Sequence, residues 1–209
     1  MSEINILSVD FDWVMEPSIN IYNEIADGKI PLDQVLKLSP GVILKPDLEK
    51  YKTLIIYLGN IVRSLPNRDR VKICQNHDEI IDAINNIWKL TDKEYNIYNI
   101  DHHHDCGYAV QTQDDIDKQG LTCGNWITHC KNLQSYTWIN NKNSDINIID
   151  EVFQNFHRYV YTNDINIINY ISFDYVFICL SPGWIPSELQ PLFDIIEFNI
   201  NNIFKIKEI

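Results

Sequence analysis

Short apolar runs alternate along this chain with longer segments whose apolar residues recur at helical spacing. The runs with the composition of short strands lie at residues 4–9, 71–74, 95–100 and 175–180, and the last of these is fully apolar and is predicted to be a buried strand. The segments with helical spacing lie at residues 47–63, 78–88 and 187–204. This succession of strands and helices predicts an α/β fold with three layers, α/β/α, around a largely parallel sheet.

Weaker patterns predict the remaining elements. Residues 136–139 have the composition of a further strand, and residues 150–161 are predicted to be helical because Val152, Phe156 and Val160 share one helical face. The stretch 114–120 is predicted to be a loop or a short helix, and the stretch 124–132 a loop or the start of a helix. Asp47, which follows a proline, is the predicted N-cap of the first helix.

Composition bounds the classes of function. The 209 residues are 45% hydrophobic and 22% charged, enough for one sizeable core, so we expect a single domain over residues 1–209. The net charge of -12 at pH 7 argues against nucleic acid as a partner and favours cationic substrates. The apolar runs are too short to cross a membrane, and no membrane partner is expected. Nothing in the pattern indicates an oligomeric state.

The cysteines indicate a reducing compartment. Their number, five, is odd, and none of them forms a C-x-x-C pair. The N-terminus also lacks the basic segment and long apolar core of a signal peptide. We therefore expect reduced thiols and a cytoplasmic protein.

One strand end carries a dense run of metal-binding residue types. The segment 101–105 reads Asp-His-His-His-Asp and follows the predicted strand 95–100. Asp101, His103 and Asp105 alternate, and if the chain curls into a loop beyond the strand, their side chains converge. Carboxylate and imidazole together suit manganese, iron or zinc. A solvated polar loop is the alternative for this segment taken alone.

Two further strand ends carry the same residue types. Asp10 and Asp12 follow the first strand, and His77 follows the strand 71–74. Taken singly, these could be turn residues and a residue at a helix start. In open parallel sheets, however, ligands bind beyond the carboxyl ends of the strands, so the three segments are expected to meet at one edge.

Four aspartates at one place would repel one another unless cations compensated their charge. Two divalent ions would do so, with Asp10 and Asp101 as bridging ligands. His77 and Asp105 would complete one ligand set, and Asp12 and His103 the other. Such an ion pair lowers the pKa of a bridging water toward neutrality and generates hydroxide for attack on an electrophilic carbon.

These segments resemble those of the arginase–deacetylase superfamily. Residues 8–17, Ser-Val-Asp-Phe-Asp-Trp-Val-Met-Glu-Pro, are similar to the ureohydrolase pattern S-F-D-x-D-x-x-D-P. Residues 101–105 match its D-x-H-x-D pattern, and residues 76–78 resemble its G-D-H pattern without the glycine. The resemblance covers some twenty residues and implies an arginase-like fold, a centre of two Mn²⁺ ions and hydrolysis of guanidino groups.

The order of the motifs departs from ordinary arginases. The D-x-D segment comes late in those enzymes and first here, which implies a rearranged strand order. Ser172-Phe173-Asp174 has the expected place in the chain, but it precedes its strand and has Val176 where the second aspartate should be. The short chain and the early D-x-D segment are similar to the peptide arginases of ribosomal peptide pathways. Those enzymes convert arginine side chains of a precursor peptide to ornithine and release urea.

The resemblance also implies secondary site residues. The stretch 124–126, Gly-Asn-Trp, looks like part of the family's G-N-L-H stretch, which makes Asn125 a substrate-binding candidate. Ile127 stands at the position of the proton-shuttling histidine, so His129 is the nearest replacement, or a surface helix residue. Asp105 is the other candidate proton donor. Glu16 and Glu79 are candidates for binding the guanidinium group through paired hydrogen bonds, although surface glutamates are equally expected.

Several alternatives stay open at this stage. The same ligands could serve a free-arginine or agmatine ureohydrolase. A deacetylase-type amidohydrolase with one zinc ion would leave Asp12 and Asp105 without a role. A metal-binding or peptide-binding module without catalysis would keep the ligands but not the turnover. The turn 181–184, Ser-Pro-Gly-Trp, either lines the pocket or is a plain connection from strand to helix.

Overall fold

Six parallel strands form the centre of the protein in a computed structural model, which describes residues 3–16, 45–107, 118–144 and 159–207. The strands of this sheet are β1 (Ile4–Asp10), β4 (Val71–Cys74), β5 (Tyr95–Asp101), β6 (Leu133–Asn140), β7 (Tyr159–Thr162) and β8 (Tyr175–Cys179). Their order is β4-β8-β1-β5-β6-β7. A separate antiparallel pair consists of β2 (Met15–Glu16) and β3 (Lys45–Pro46). The predicted parallel sheet is confirmed.

β1 and β8 are neighbouring, largely buried strands of the sheet. β8 is buried along its whole length, and β1 from Ile6 onward. β1 pairs with β8 on one side and with β5 on the other, all in parallel. Strands covered on both faces need a largely apolar sequence, which explains why the fully apolar run at 175–180 and the mainly apolar run at 4–9 predicted them correctly.

Helices cover both faces of the sheet. The first is α1 (Leu48–Ser64), the second is α2 (Glu79–Asp82, continued by a π-helical turn over Ala83–Ile87), and the third is α3 (Gln190–Lys207). α1 and α3 pack over one face, against side chains such as Leu7 and Val176. α2 packs over the other face, against their strand neighbours Ile6 and Phe177. This alternation of neighbours between two cores is the three-layer arrangement that the sequence predicts.

Helix bounds follow the predictions closely. α1 begins one residue after its predicted cap, because the Asp47 carboxylate accepts hydrogen bonds from the backbone N–H groups of Glu49 and Lys50. α3 is preceded by a 3₁₀ turn over Ser187–Leu189, so the predicted helix 187–204 covers both elements. None of the helices among these described residues is long and apolar enough to cross a bilayer.

The predicted helix over 150–161 is wrong at its end. Residues 150–158 lie outside the described residues, and the next four, Tyr159–Thr162, form β7 rather than a helix. Pairing with β6 supplies the backbone hydrogen bonds, and tyrosine, valine and threonine pack well on a pleated surface. The strand predicted at 136–139 is twice as long in the structure, as β6. Of the predicted loop or short helix at 114–120, residues 114–117 also lie outside the described range.

The cap of α1 makes a measurable contribution to stability. Replacing Asp47 by alanine removes both acceptor contacts and should lower the free energy of unfolding by about 1 kcal/mol. Asp47→Asn is the matched control, because asparagine caps helices about as well as aspartate. Chemical denaturation of the three proteins measures the difference, and equal losses in both variants would contradict the capping role.

Candidate metal centre

The carboxyl ends of the parallel strands bring the candidate ligands to one edge of the sheet. Asp10 is the last residue of β1 and Asp101 the last residue of β5, the strand beside it. His77 lies in the turn between β4 and α2. The connection after β1 covers one face of the sheet with α1, and the connection after β4 covers the other with α2. In open parallel sheets, ligands bind beyond the carboxyl ends of the strands, and these candidate ligands lie there.

The first ligand group consists of Asp10, His77 and Asp101, all buried, with their ligand atoms within 4.8 Å of one another. His77 Nδ1 lies 3.1 Å from Asp10 Oδ2 and 3.2 Å from Asp101 Oδ2. Two carboxylate oxygens and one imidazole nitrogen at these separations can converge on a single cation.

The second ligand group consists of Asp12, Asp101 and His103. His103 Nδ1 lies 2.9 Å from Asp12 Oδ2 and 3.9 Å from Asp101 Oδ1. Asp101 therefore belongs to both groups, with one oxygen on each side. Among the described residues Asp10 belongs to the first group alone, although its Oδ1 accepts a 3.1 Å hydrogen bond from the backbone N–H of Asp12.

The segment 101–107 curls back on itself at Asp105. Asp105 has a φ of 55°, in the left-handed region that aspartate tolerates better than most residues. This bend places its Oδ2 atom 3.0 Å from His77 Nδ1, where the Trp126 indole N–H also donates to it at 2.5 Å. Asp105 thus borders the first ligand group without being one of its three mutually close members.

Neutral polar side chains orient the ligands from behind. Ser8 Oγ lies 2.7 Å from Nε2 of His77, so that Nδ1 is the nitrogen that faces the carboxylates. The Asn99 amide donates to Asp101 Oδ2 at 3.0 Å, and the Ser181 hydroxyl donates to Asp10 Oδ2 at 2.5 Å. Contacts of this kind fix the orientation of a metal ligand and tune its basicity.

The sequence analysis missed Ser8 and Asn99 as site residues. A signal for both was present: each is a polar residue inside a strand that is otherwise predicted to be buried. Such a residue needs a hydrogen-bond partner, and a strand end rich in acids and histidine is where that partner is expected.

The two aspartates of the second group are held partly protonated by their surroundings. Burial, together with the nearby Asp10 and Asp101 carboxylates, raises the pKa of Asp12 to about 8. Burial, with the Asp105 and Asp10 carboxylates, likewise raises the pKa of Asp101 to about 8. Without a cation, these carboxylates cannot all be ionised at neutral pH.

The pKa values of the two histidines are also raised, which favours their charged form beside the carboxylates. Burial alone would lower the pKa of His103, but the Asp12 carboxylate raises it to about 9. The same opposition acts on His77, where the Asp105, Asp10 and Asp101 carboxylates outweigh burial and raise its pKa well above the usual range. A metal ion bound by these groups would compete with protons for the same carboxylate and imidazole atoms.

The donor set fits a divalent metal ion. Asp12 Oδ2 and His77 Nδ1 are buried and have no hydrogen bond of good geometry to any described residue, although both face other ligand atoms at close range. Neither ligand group contains a cysteine, and carboxylate oxygen with imidazole nitrogen suits manganese, iron or zinc. The cluster can therefore hold a metal ion.

The candidates for substrate binding have other partners. The Asn125 amide accepts from the backbone N–H of Thr122 and donates to the Gly120 carbonyl, so it stabilises its own turn. Glu79 accepts from the backbone N–H groups of residues 75 and 76, at the start of α2. Glu16 lies 3.2 Å from the ammonium of Lys45, across the pair β2 and β3. Each carboxylate or amide serves local structure here rather than the ligand groups.

His129 and Asp174 also lie apart from the ligand groups. His129 ends the 3₁₀ helix Trp126–His129, and no hydrogen bond or ion pair within the described part of the chain joins it to the six candidate ligands. Asp174 accepts from the backbone N–H of Asn5 at the opposite end of β1. The preference for Asp10 and Asp12 over Asp174 thus agrees with the observed positions.

Comparison of the chain with known protein families, with curated proteins and with solved structures finds no match in any of the three. The class of the protein is therefore defined by its own geometry: an α/β protein with a buried Asp/His cluster that can bind metal at the edge of a parallel sheet.

The metal-free cluster should make stability fall as pH rises. The pKa values of Asp12 and Asp101 in the folded protein, about 8, exceed the ordinary value of 3.8, and that of His103, about 9, exceeds 6.5. The folded state therefore binds protons that the unfolded state releases, and stability is lost as pH rises from about 4, the unfolded pKa of the aspartates, to about 9, the folded pKa of His103.

Thermal unfolding in the presence of a chelator measures this loss, and added Mn²⁺ should reverse it, since the metal replaces the protons. The Asp101→Asn variant should show a smaller pH dependence and a smaller gain from metal. A melting temperature that does not respond to Mn²⁺ at pH 8 would contradict metal binding at this cluster.

Proposed function

We propose that this protein is a hydrolase of guanidino groups, related to the arginase–deacetylase superfamily, that works with two Mn²⁺ ions. The observation that carries the proposal is that Asp101 belongs to two ligand groups at once. A carboxylate with one oxygen in each group is suited to bridge two ions, and paired ions are typical of enzymes that hydrolyse resistant bonds. The motif resemblance described above supports the choice of a guanidino substrate.

The protein's own residues would prepare the site for this reaction. Ser8 and Asn99 hold His77 and Asp101 in fixed orientations, so no ligand has to move during turnover. When bound, a pair of divalent ions supplies Lewis acidity and lowers the pKa of water, the hydrolytic nucleophile. Asp105 borders the cluster, whereas His129 does not, so Asp105 is the better candidate to hand a proton to the departing ornithine amine.

The substrate that fits best is an arginine side chain within a peptide. The guanidinium group is a cation, and both the ligand cluster and the whole chain, at -12, are acidic. The order of the motifs, with D-x-D before D-x-H-x-D, is similar to that of the peptide arginases, which favours a peptide side chain over a free amino acid. The reaction would convert arginine to ornithine and release urea, and a precursor peptide in the cytoplasm is the proposed partner.

The main rival is a deacetylase-type amidohydrolase with one zinc ion. The first group, Asp10, His77 and Asp101, could hold that ion alone. Asp12 and His103 would then have no function, although Asp12 is fully buried and lies 2.9 Å from His103. Burying a carboxyl group that has no functional role would lower the stability of the protein for no benefit, which favours the proposal of two ions.

Metal content separates the one-ion and two-ion readings. The wild-type chain should bind two Mn²⁺ ions, Asp12→Asn should retain one, and Asp101→Asn should lose both or bind them far more weakly. Asp174→Asn is the matched control, since Asp174 lies at the other end of the sheet. Elemental analysis after dialysis gives the count, and a single ion in the wild type would contradict the proposal.

Product analysis tests the reaction itself. An arginine-containing peptide incubated with enzyme and Mn²⁺ should lose one cyanamide unit per converted residue, detected by mass spectrometry, with an equal amount of urea released. Asp101→Asn should reduce the rate at least roughly 100-fold, because it disturbs both ligand groups. Free arginine serves as the competing substrate. Cleavage of free arginine without cleavage of the peptide would overturn the peptide assignment, and unchanged turnover in Asp101→Asn would exclude catalysis at this cluster.

A further inference from the structure

Substrate can reach the ligand cluster from one side in particular. The side chains of Asp12, His77 and Asp101 are between 0 and 1% exposed, whereas the side chain of His103 is 13% exposed. Asp10 and Asp105 are each 5% exposed. A reacting group must approach a ligand cluster through its accessible side, which is the side of His103.

An indole lies at this accessible side. The ring of Trp184 packs against the ring of His103, with centroids 4.4 Å apart and planes tilted by 44°. Trp184 is itself partly exposed, unlike the indole of Trp126, which is fully buried behind Asp105. Within the described ranges, Trp184 is thus a large aromatic side chain that both contacts a candidate metal ligand and is partly exposed to solvent.

The turn that carries Trp184 is anchored on both sides. The backbone N–H of Ser181 donates to the Gln75 carbonyl at 2.9 Å, and the Ser181 hydroxyl donates to Asp10. The backbone N–H of Trp184 donates to the Ser181 carbonyl at 2.9 Å, and the next residue, Ile185, is buried. Ser181 adopts a φ of 53°, a left-handed conformation that costs energy and that the surrounding contacts maintain.

We infer that Trp184 is the residue that recognises the planar cation of the substrate, an inference that rests on the proposed function. A guanidinium group binds favourably to the face of an indole through cation–π attraction and stacking. None of the glutamates predicted to bind this group faces the cluster: Glu16 contacts Lys45, and Glu79 accepts from backbone at the start of α2. Trp184 lies where such a group would approach, and its anchored turn keeps the entropy cost of binding low.

Recognition of this kind depends on charge and planarity rather than on metal chemistry. The test therefore measures the binding of two peptides that differ in the charge of one side chain. Neither peptide carries at this position the arginine side chain whose hydrolysis would release urea. One carries an acetamidine group, a planar cation, in place of the guanidino group. The other carries a ureido group, which is planar and neutral. Isothermal titration calorimetry of each peptide is carried out with the Mn²⁺-loaded full-length protein.

The wild type should bind the cationic peptide more tightly than the neutral one. Trp184→Ala should weaken binding of the cationic peptide roughly 2- to 30-fold and change that of the neutral peptide less than twofold. Trp184→Phe should retain part of the preference, because it keeps an aromatic face. Tyr170→Ala, which removes a ring that is 87% exposed on the 3₁₀ helix Ile165–Tyr170, is the control and should leave both affinities unchanged.

Each other outcome overturns the inference. The inference is wrong if the wild type binds both peptides equally well, or if Trp184→Ala keeps the preference for the cationic peptide. It is also wrong if Trp184→Ala lowers the affinity for both peptides by the same factor. The last pattern, together with lost Mn²⁺ binding, would show that Trp184 only supports His103. Urea release is assayed separately, so a charge preference without any urea would refute the proposed hydrolysis while leaving the recognition role intact.

Discussion

Carboxylates that share a space without water repel one another, and this repulsion governs the structure at the edge of the sheet. Asp10, Asp12 and Asp101 are buried within one cluster, with Asp105 beside them. In the absence of a cation, raised pKa values and protonated histidines absorb part of the repulsion. That arrangement ties up protons on groups that would ionise freely in the unfolded chain, so the folded protein keeps it at a cost in stability. Divalent cations bound at the cluster would remove this cost, because they would neutralise the carboxylates directly.

The fold explains why so many acids can be brought together. Parallel strands point their carboxyl ends to the same edge, and the central strands β1, β5 and β8 are rigidly fixed by a core on each face. The candidate ligands at and just beyond the carboxyl ends of these strands are therefore held in place by the strands, although they are not part of the hydrophobic core themselves. Ser8, Asn99 and Ser181 extend it to individual ligand atoms through hydrogen bonds. The sheet therefore positions the site. Its candidate ligands are the last residues of β1 and β5 and residues of the segments that follow the strands.

The sequence predicted the parts of the structure that depend on local pattern. A fully apolar run located β8, and short runs of mainly apolar residues located β1, β4 and β5, because strands that pack against a core need apolar side chains. The acids and histidines after three of these runs located the ligand cluster. β7 was mistaken for the end of a helix, because its strand conformation comes from pairing with β6 rather than from its own pattern.

The secondary site residues could not be predicted in the same way. Glu16 and Glu79 were chosen because they lie near ligands in sequence, and Asn125 because its stretch resembles a family motif. Each side chain instead contacts a local partner, which the sequence pattern did not indicate. Asp10 and Asp101 were both predicted to bridge the two ligand sets, but among the described residues only Asp101 belongs to both groups. Trp184 could be assigned to a site only once the turn after β8 was seen to reach His103.

The central claim is that the repelling carboxylates share metal ions through Asp101. Anomalous diffraction from crystals grown with Mn²⁺ tests it most directly, because the signal locates the metal without assuming any activity. We expect two anomalous-difference peaks on either side of the Asp101 carboxylate, about 3.5–4 Å apart, one beside His77 and one beside His103. Crystals that show manganese elsewhere, or none at this cluster, would contradict it.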